Sequence, residues 1–107
     1  MADLQWDKAF ALEQSGEDDE LLQELLDLLK SSSISDLEKI KAGLLANDGG
    51  AVADAAHSIK GAAASLGVEG LRVVAYDIEQ KGRAGLQGEI TLDDLEDLIG
   101  QLDSIMQ

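Results

Sequence analysis

"GEDDELLQELLDLLKSSSISDLEKIKAGLLANDGG" occupies residues 16–50, and its reading decides how many helices the chain has. Asp18, Asp19 and Glu20 stand where carboxylates favour a helix N-terminus. Leu21, Leu22, Leu25, Leu28 and Leu29 then recur at three and four residues and form an apolar stripe. Ser31, Ser32 and Ser33 interrupt it. Ser32 or Ser33 is suited to cap a further helix carrying Ile34, Leu37, Ile40, Leu44 and Leu45 and ending at "NDGG". Two readings stay open: separate helices, or one bent helix.

The helical period extends to both ends. No proline occurs, aromatics are 3%, and no run of β-branched residues suggests a strand. A short helix is expected over Asp7–Gln14, stopped by Ser15 and Gly16, with Leu4, Trp6 and Phe10 as a lid over one end of the core. After "NDGG" a helix is expected from Gly50 to Leu66, stopped by Gly67. Another is expected from Gly70 to Lys81, stopped by Gly82, with Leu71, Val74, Ala75 and Ile78 inward. "GRAGLQGE" reads as a loop. Thr91, with Asp94 three residues on, reads as a variant capping box. The last helix then carries Leu92, Leu95, Leu98, Ile99, Leu102 and Ile105. The expected architecture is all-α: one domain over residues 1–107, an antiparallel up-and-down four-helix bundle with a short additional N-terminal helix.

Composition narrows the function. The 107 residues hold no cysteine, so disulfides and thiolate metal sites are excluded. Residues 1–19 lack the pattern of a signal peptide, and no apolar run spans a bilayer. A cytoplasmic protein is expected. With no linker at either end, a stand-alone domain is favoured. Eight basic against 22 acidic side chains give a net charge of −14, which repels nucleic acid and anionic membrane. Residues 51–85 carry four charges of each sign, and this neutral segment holds the only histidine.

That histidine lies in "DAAHSIKGAAASLG", Asp54–Gly67. At about 100° per residue, Val52, Ala55, Ile59, Ala62 and Leu66 gather on one side of the helix. His57, Ala53, Lys60, Gly61 and Ala64 gather on the other. This disfavours a histidine satisfied inside the core. Gly61 argues against an incidental surface histidine, because glycine in a helix interior costs about 1 kcal/mol relative to alanine. A glycine one turn from an exposed imidazole bares the backbone and lets another molecule approach. Nucleophile, cation and clearing together describe a phosphoryl acceptor. Metal binding would need more His, Cys or carboxylate ligands, and a hydrolase would need an ordered Ser–His–acid set. Ser58 and Ser65 are present, but no strained turn presents them.

"AHSIKGAAASLG" resembles the signature of the histidine-containing phosphotransfer (HPt) domain, with its H-x-x-K-G core. "LRVVAYDIEQKGR" is similar to the helix that follows in that family. The run from "ELLQELLDLL" to "VADAAH" is similar to its preceding helices, so the resemblance covers nearly the whole chain. Two departures are the three serines and Glu79, which stands where some members have glutamine. The resemblance implies that His57 is phosphorylated through Nε2 by a receiver aspartyl phosphate or a kinase and passes the group to another receiver. An ordinary imidazole, with a pKa of about 6.5, is mostly neutral near pH 7 and able to attack. Lys60 would steady the phosphoryl oxygens. Ala53, Gly61 and Ala64 would leave room for the partner. Glu79 or Gln80 would orient the ring, and Lys81 and Arg83 would add positive potential.

No G-x-x-x-x-G-K loop occurs, so a phosphocarrier is expected rather than a kinase. It would have no intrinsic cofactor, with Mg²⁺ coming from the receiver. The implied partners are response-regulator receivers and a sensor or hybrid histidine kinase, and a monomer is expected. The alternative is a binding module that docks such partners without carrying phosphate.

Overall fold

The computed structural model describes residues 2–106. It is all-α. The helices are α1 (Lys8–Gln14), α2 (Asp19–Leu45), α3 (Gly49–Ser65), α4 (Glu69–Arg83) and α5 (Asp93–Gln101). Single 3₁₀ turns follow at Gln87–Glu89 and Leu102–Ile105. α2–α5 form the four-helix bundle and α1 is the short extra helix.

The serines do not break α2, which runs unbroken for 27 residues. At 1.5 Å per residue that is about 40 Å, close to the 42 Å long axis of the molecule. The Ser31 hydroxyl donates to the Asp27 carbonyl at 3.0 Å and that of Ser32 to Leu29 at 3.3 Å. Both hydroxyls are therefore satisfied by the turn before them. Ser33 is fully buried and carries the inward stripe across the interruption, through Leu22, Leu26, Leu29, Ser33, Leu37 and Ile40. The expected stripe is rotated. Leu26 lies inside, whereas Leu21, Leu28, Ile34 and Leu45 are exposed.

Aspartates start three helices: the side chains of Asp7, Asp18 and Asp48 accept from Phe10, Leu21 and Ala51 backbone N–H groups at 3.0, 3.1 and 3.0 Å. α5 begins without such a bond. Thr91 lies too early to cap it, because Leu92 packs against the core at the N-cap position. Asp93, Asp94 and Glu96 still place favourable charge in its first turn.

The N-terminal lid is formed by Leu4 and Trp6, whereas Phe10 is half-buried beside Gly67 and does not pack on the core. Leu4 is buried, Trp6 Nε1 donates to the Leu66 carbonyl at 3.0 Å, and Asp7 N–H donates to Gly67 O at 2.9 Å. Gly67 turns the chain from α3 to α4 with φ +70°, and a Cβ there would also press on the Asp7 carbonyl at 2.9 Å. Gly82 is not a helix stop. It is buried inside α4, where a Cβ would stand 2.8 Å from Gly49 O and 3.1 Å from Ala53 N. Its absent side chain lets α3 and α4 approach closely.

Candidate functional site

α3 packs against α2 on one side and α4 on the other, which widens its buried arc. Val52, Ala55, Ile59 and Leu66 are buried as expected, but so are Ala53 and Ala56. Ala53 is therefore not on an open partner surface; it fills the seam against Gly82. What remains exposed is a strip containing Asp54, His57, Ser58, Gly61, Ala64 and Ser65. Nothing lies within 4 Å of a Cβ placed on Gly61, so the clearing beside His57 is open space.

His57 leaves 61% of its side chain exposed while Glu79, across the seam on α4, exposes 5%. One Glu79 oxygen, Oε2, lies 2.9 Å from His57 Nδ1. The other, Oε1, accepts from Lys60 Nζ at 2.6 Å. Arg83 Nη2 stands 3.4 Å from Glu79 Oε2 and 3.6 Å from Asp54 Oδ1. Lys60 Nζ also lies over the Tyr76 ring, 5.1 Å from its centroid. One carboxylate thus draws a histidine and a lysine from α3 to an arginine on its own helix.

Burial pushes the Glu79 carboxyl pKa up. The hydrogen bonds from Lys60 and His57, with the charges behind them, outweigh this and hold it below the usual range. Glu79 is ionised at neutral pH and can only accept. His57 Nδ1 must then carry the proton and donate. In the neutral ring this leaves the lone pair on Nε2, on the side away from Glu79.

Of the remaining candidates, Gly61 and Ala64 lie on the exposed strip. Gln80 is exposed and does not hold the ring; Glu79 does so alone. Lys81 pairs with Asp77 at 3.0 Å, on the side of α4 turned from His57. Asp77 and Lys81 lie about 160° around the helix from Glu79. The sequence reading passed over Asp54 and Tyr76. Their signal is positional: Asp54 precedes His57 by three residues, and Tyr76 precedes Glu79 by three.

Among the described residues no group of three His, Cys, Asp or Glu side chains could hold a metal ion, and no helix is long and apolar enough to cross a membrane.

The fold agrees with what known proteins show. The family model described as Hpt domain matches residues 24–105. The crystal structure of histidine-containing phosphotransfer protein B (HptB) from Pseudomonas aeruginosa PAO1 superposes with a TM-score of 0.70 at 25% identity. The match covers 94% of this chain and 83% of that one. No curated protein sequence matches this chain. Hpt domains are phosphocarriers rather than kinases, and they work with receiver domains and histidine kinases. The chain belongs to the Hpt family and is a phosphotransfer protein of a phosphorelay.

Proposed function

We propose that His57 is the residue that carries the phosphoryl group, and that residues 1–107 act as one Hpt domain. The observation that carries this is the Nδ1–Glu79 hydrogen bond at 2.9 Å on a ring that is 61% exposed. It presents Nε2 as the nucleophile. The Nε2 lone pair attacks the phosphorus of a receiver aspartyl phosphate. The bond from phosphorus to the aspartyl oxygen breaks, and the aspartate leaves as a carboxylate. The ring gains positive charge, and Glu79, already bonded to Nδ1–H, stabilises that charge without taking the proton. Return of the group to a second receiver reverses these steps and restores the neutral ring.

Lys60 is held where it can turn from Glu79 to the phosphoryl oxygens. Gly61 and Ala64 leave space for the partner's loops, and Arg83 offsets the charge of Glu79. The chain contributes position and charge, which are most of what phosphoryl transfer asks of a protein. Nucleotide chemistry belongs to the kinase, and Mg²⁺ to the receiver's acidic site. A monomer fits the net charge of −14 and the tethering of Trp6 to the chain's own Leu66 carbonyl. A cytoplasmic setting fits the absence of cysteine.

The test is transfer from a radiolabelled phosphorylated receiver. Label should appear on the protein, be lost in mild acid and survive base. His57→Gln should remove it entirely. Label retained by that variant would sink the assignment.

A further inference from the structure

Lys60 has two anchors, and only one of them is ionic. Glu79 Oε1 takes one of its protons at 2.6 Å, and the Tyr76 ring lies beneath the ammonium at 5.1 Å. Tyr76 is the only tyrosine of the chain. It is 46% exposed, at the surface beside Lys60. Its place on α4, one turn before Glu79, puts a π face on the approach of a side chain coming from α3.

A lysine stem has four carbons and many rotamers, and the residue is only partly shielded, with 24% of its side chain exposed. A single salt bridge would leave the ammonium two states, on the carboxylate or free in water. An aromatic face adds a third resting place that attracts a cation without neutralising it. The cation then stays at the α3–α4 seam when it leaves Glu79.

We propose that Tyr76 is a positioning residue for phosphoryl transfer: its ring keeps the Lys60 ammonium beside His57, ready to move onto the incoming phosphoryl oxygens. This rests on the reading of His57 as the phosphoacceptor. It makes Lys60 a cation shared between two anchors rather than one locked to Glu79.

The first measurement needs no partner. A lysine over an aromatic face has its ε-CH₂ protons shifted upfield, so NMR of the intact protein should single out Lys60 from the other lysines. Tyr76→Phe should keep that shift and Tyr76→Leu should remove it. An unshifted Lys60 in the parent protein would overturn the contact. The second measurement is the rate of transfer from a phosphorylated receiver. Tyr76→Leu should slow it by about two- to five-fold, the range an exposed cation–π contact supplies, and Tyr76→Phe should restore it. In a Lys60→Met background, Tyr76→Leu should have no further effect. An equal slowing there would overturn the inference and make Tyr76 a direct contact of the partner. If His57 took no label even in the parent, the phosphoacceptor reading would fail, while the NMR shift would still decide whether Tyr76 holds Lys60.

Discussion

The two flanks of α3 differ in kind. On the α2 side the contact is mixed and leaves two grooves. One sets Ala42, Gly43, Ala51 and Ala55 beside the charged Asp36, Lys39, Asp48 and Asp54, and the other is mostly apolar, with Leu25, Leu28, Ala62 and Leu66. On the α4 side the backbones close up through Gly49, Ala53 and Gly82. That closeness brings a buried carboxylate within reach of His57 and Lys60. The same helix therefore has one flank that mainly buries surface and one that orients the ring of His57. Both flanks hold a jammed glycine: a Cβ on Gly43 would stand 2.8 Å from Val52 Cγ2, and one on Gly82 2.8 Å from Gly49 O, whereas Gly61 stands in the open.

The seam is where a small change should do most harm. Gly82→Ala puts a methyl 2.8 Å from the Gly49 carbonyl oxygen and 3.1 Å from Ala53 N, both rigid backbone atoms. The helices must separate, and overpacking of this kind costs about 1–3 kcal/mol. Urea unfolding should show the loss. Transfer should fall with it, because a wider seam draws Glu79 away from His57. A variant as stable as the parent would mean the helices part without strain.

Glu79→Gln comes next and tests the ionic side of the comparison. An amide keeps one acceptor but loses the charge that holds Lys60 and fixes the proton on Nδ1. The expected loss is about 1–2 kcal/mol at pH 7, with a clear drop in transfer rate. The pH dependence has a definite sign. Glu79 has a carboxyl pKa lowered below its ordinary value of 4.5, so the folded protein binds that proton more weakly than the unfolded chain. Its stabilisation is complete above that ordinary value and is lost as pH falls through the lowered one. The difference between parent and variant should therefore shrink in acid. A difference that stays constant from pH 7 to pH 3 would show that charge is not its source.

Much of this contrast can be read in the sequence, but unevenly. His57, Lys60 and Gly61 fall on one line by spacing alone, and the structure keeps His57 and Gly61 exposed. The core of α3 is legible for the same reason. Ala53 misleads because a helical wheel gives one partner direction, whereas α3 has two neighbours and a wider buried arc. Small residues at 49, 53 and 82 are the mark of close helix contact, but Gly82 also resembles a helix stop. The serines of α2 mislead because their cap preference is local. The buried stripe through Ser33 is set by packing along the whole helix. Glu79 and Gln80 are adjacent, and only the register of α4 against α3 selects between them.

Gly61 should give the smallest effect on the fold, and the most telling one. A Cβ there meets nothing within 4 Å, and the residue lies inside α3, one turn before its last residue. Gly61→Ala should therefore stabilise the protein, by up to about 1 kcal/mol, through helix propensity and reduced freedom of the unfolded chain. A glycine kept where alanine is better for the fold serves something outside the fold. Gly61→Arg should leave the bundle as stable as the alanine variant yet slow transfer from the receiver, because its side chain fills the clearing that the partner's loops need. Measuring melting temperature and transfer rate on the same samples separates the two effects. If the arginine variant transferred at the parent rate, the open strip beside His57 would not be where the partner sits. The grooves on the α2 flank would then be the next surface to probe.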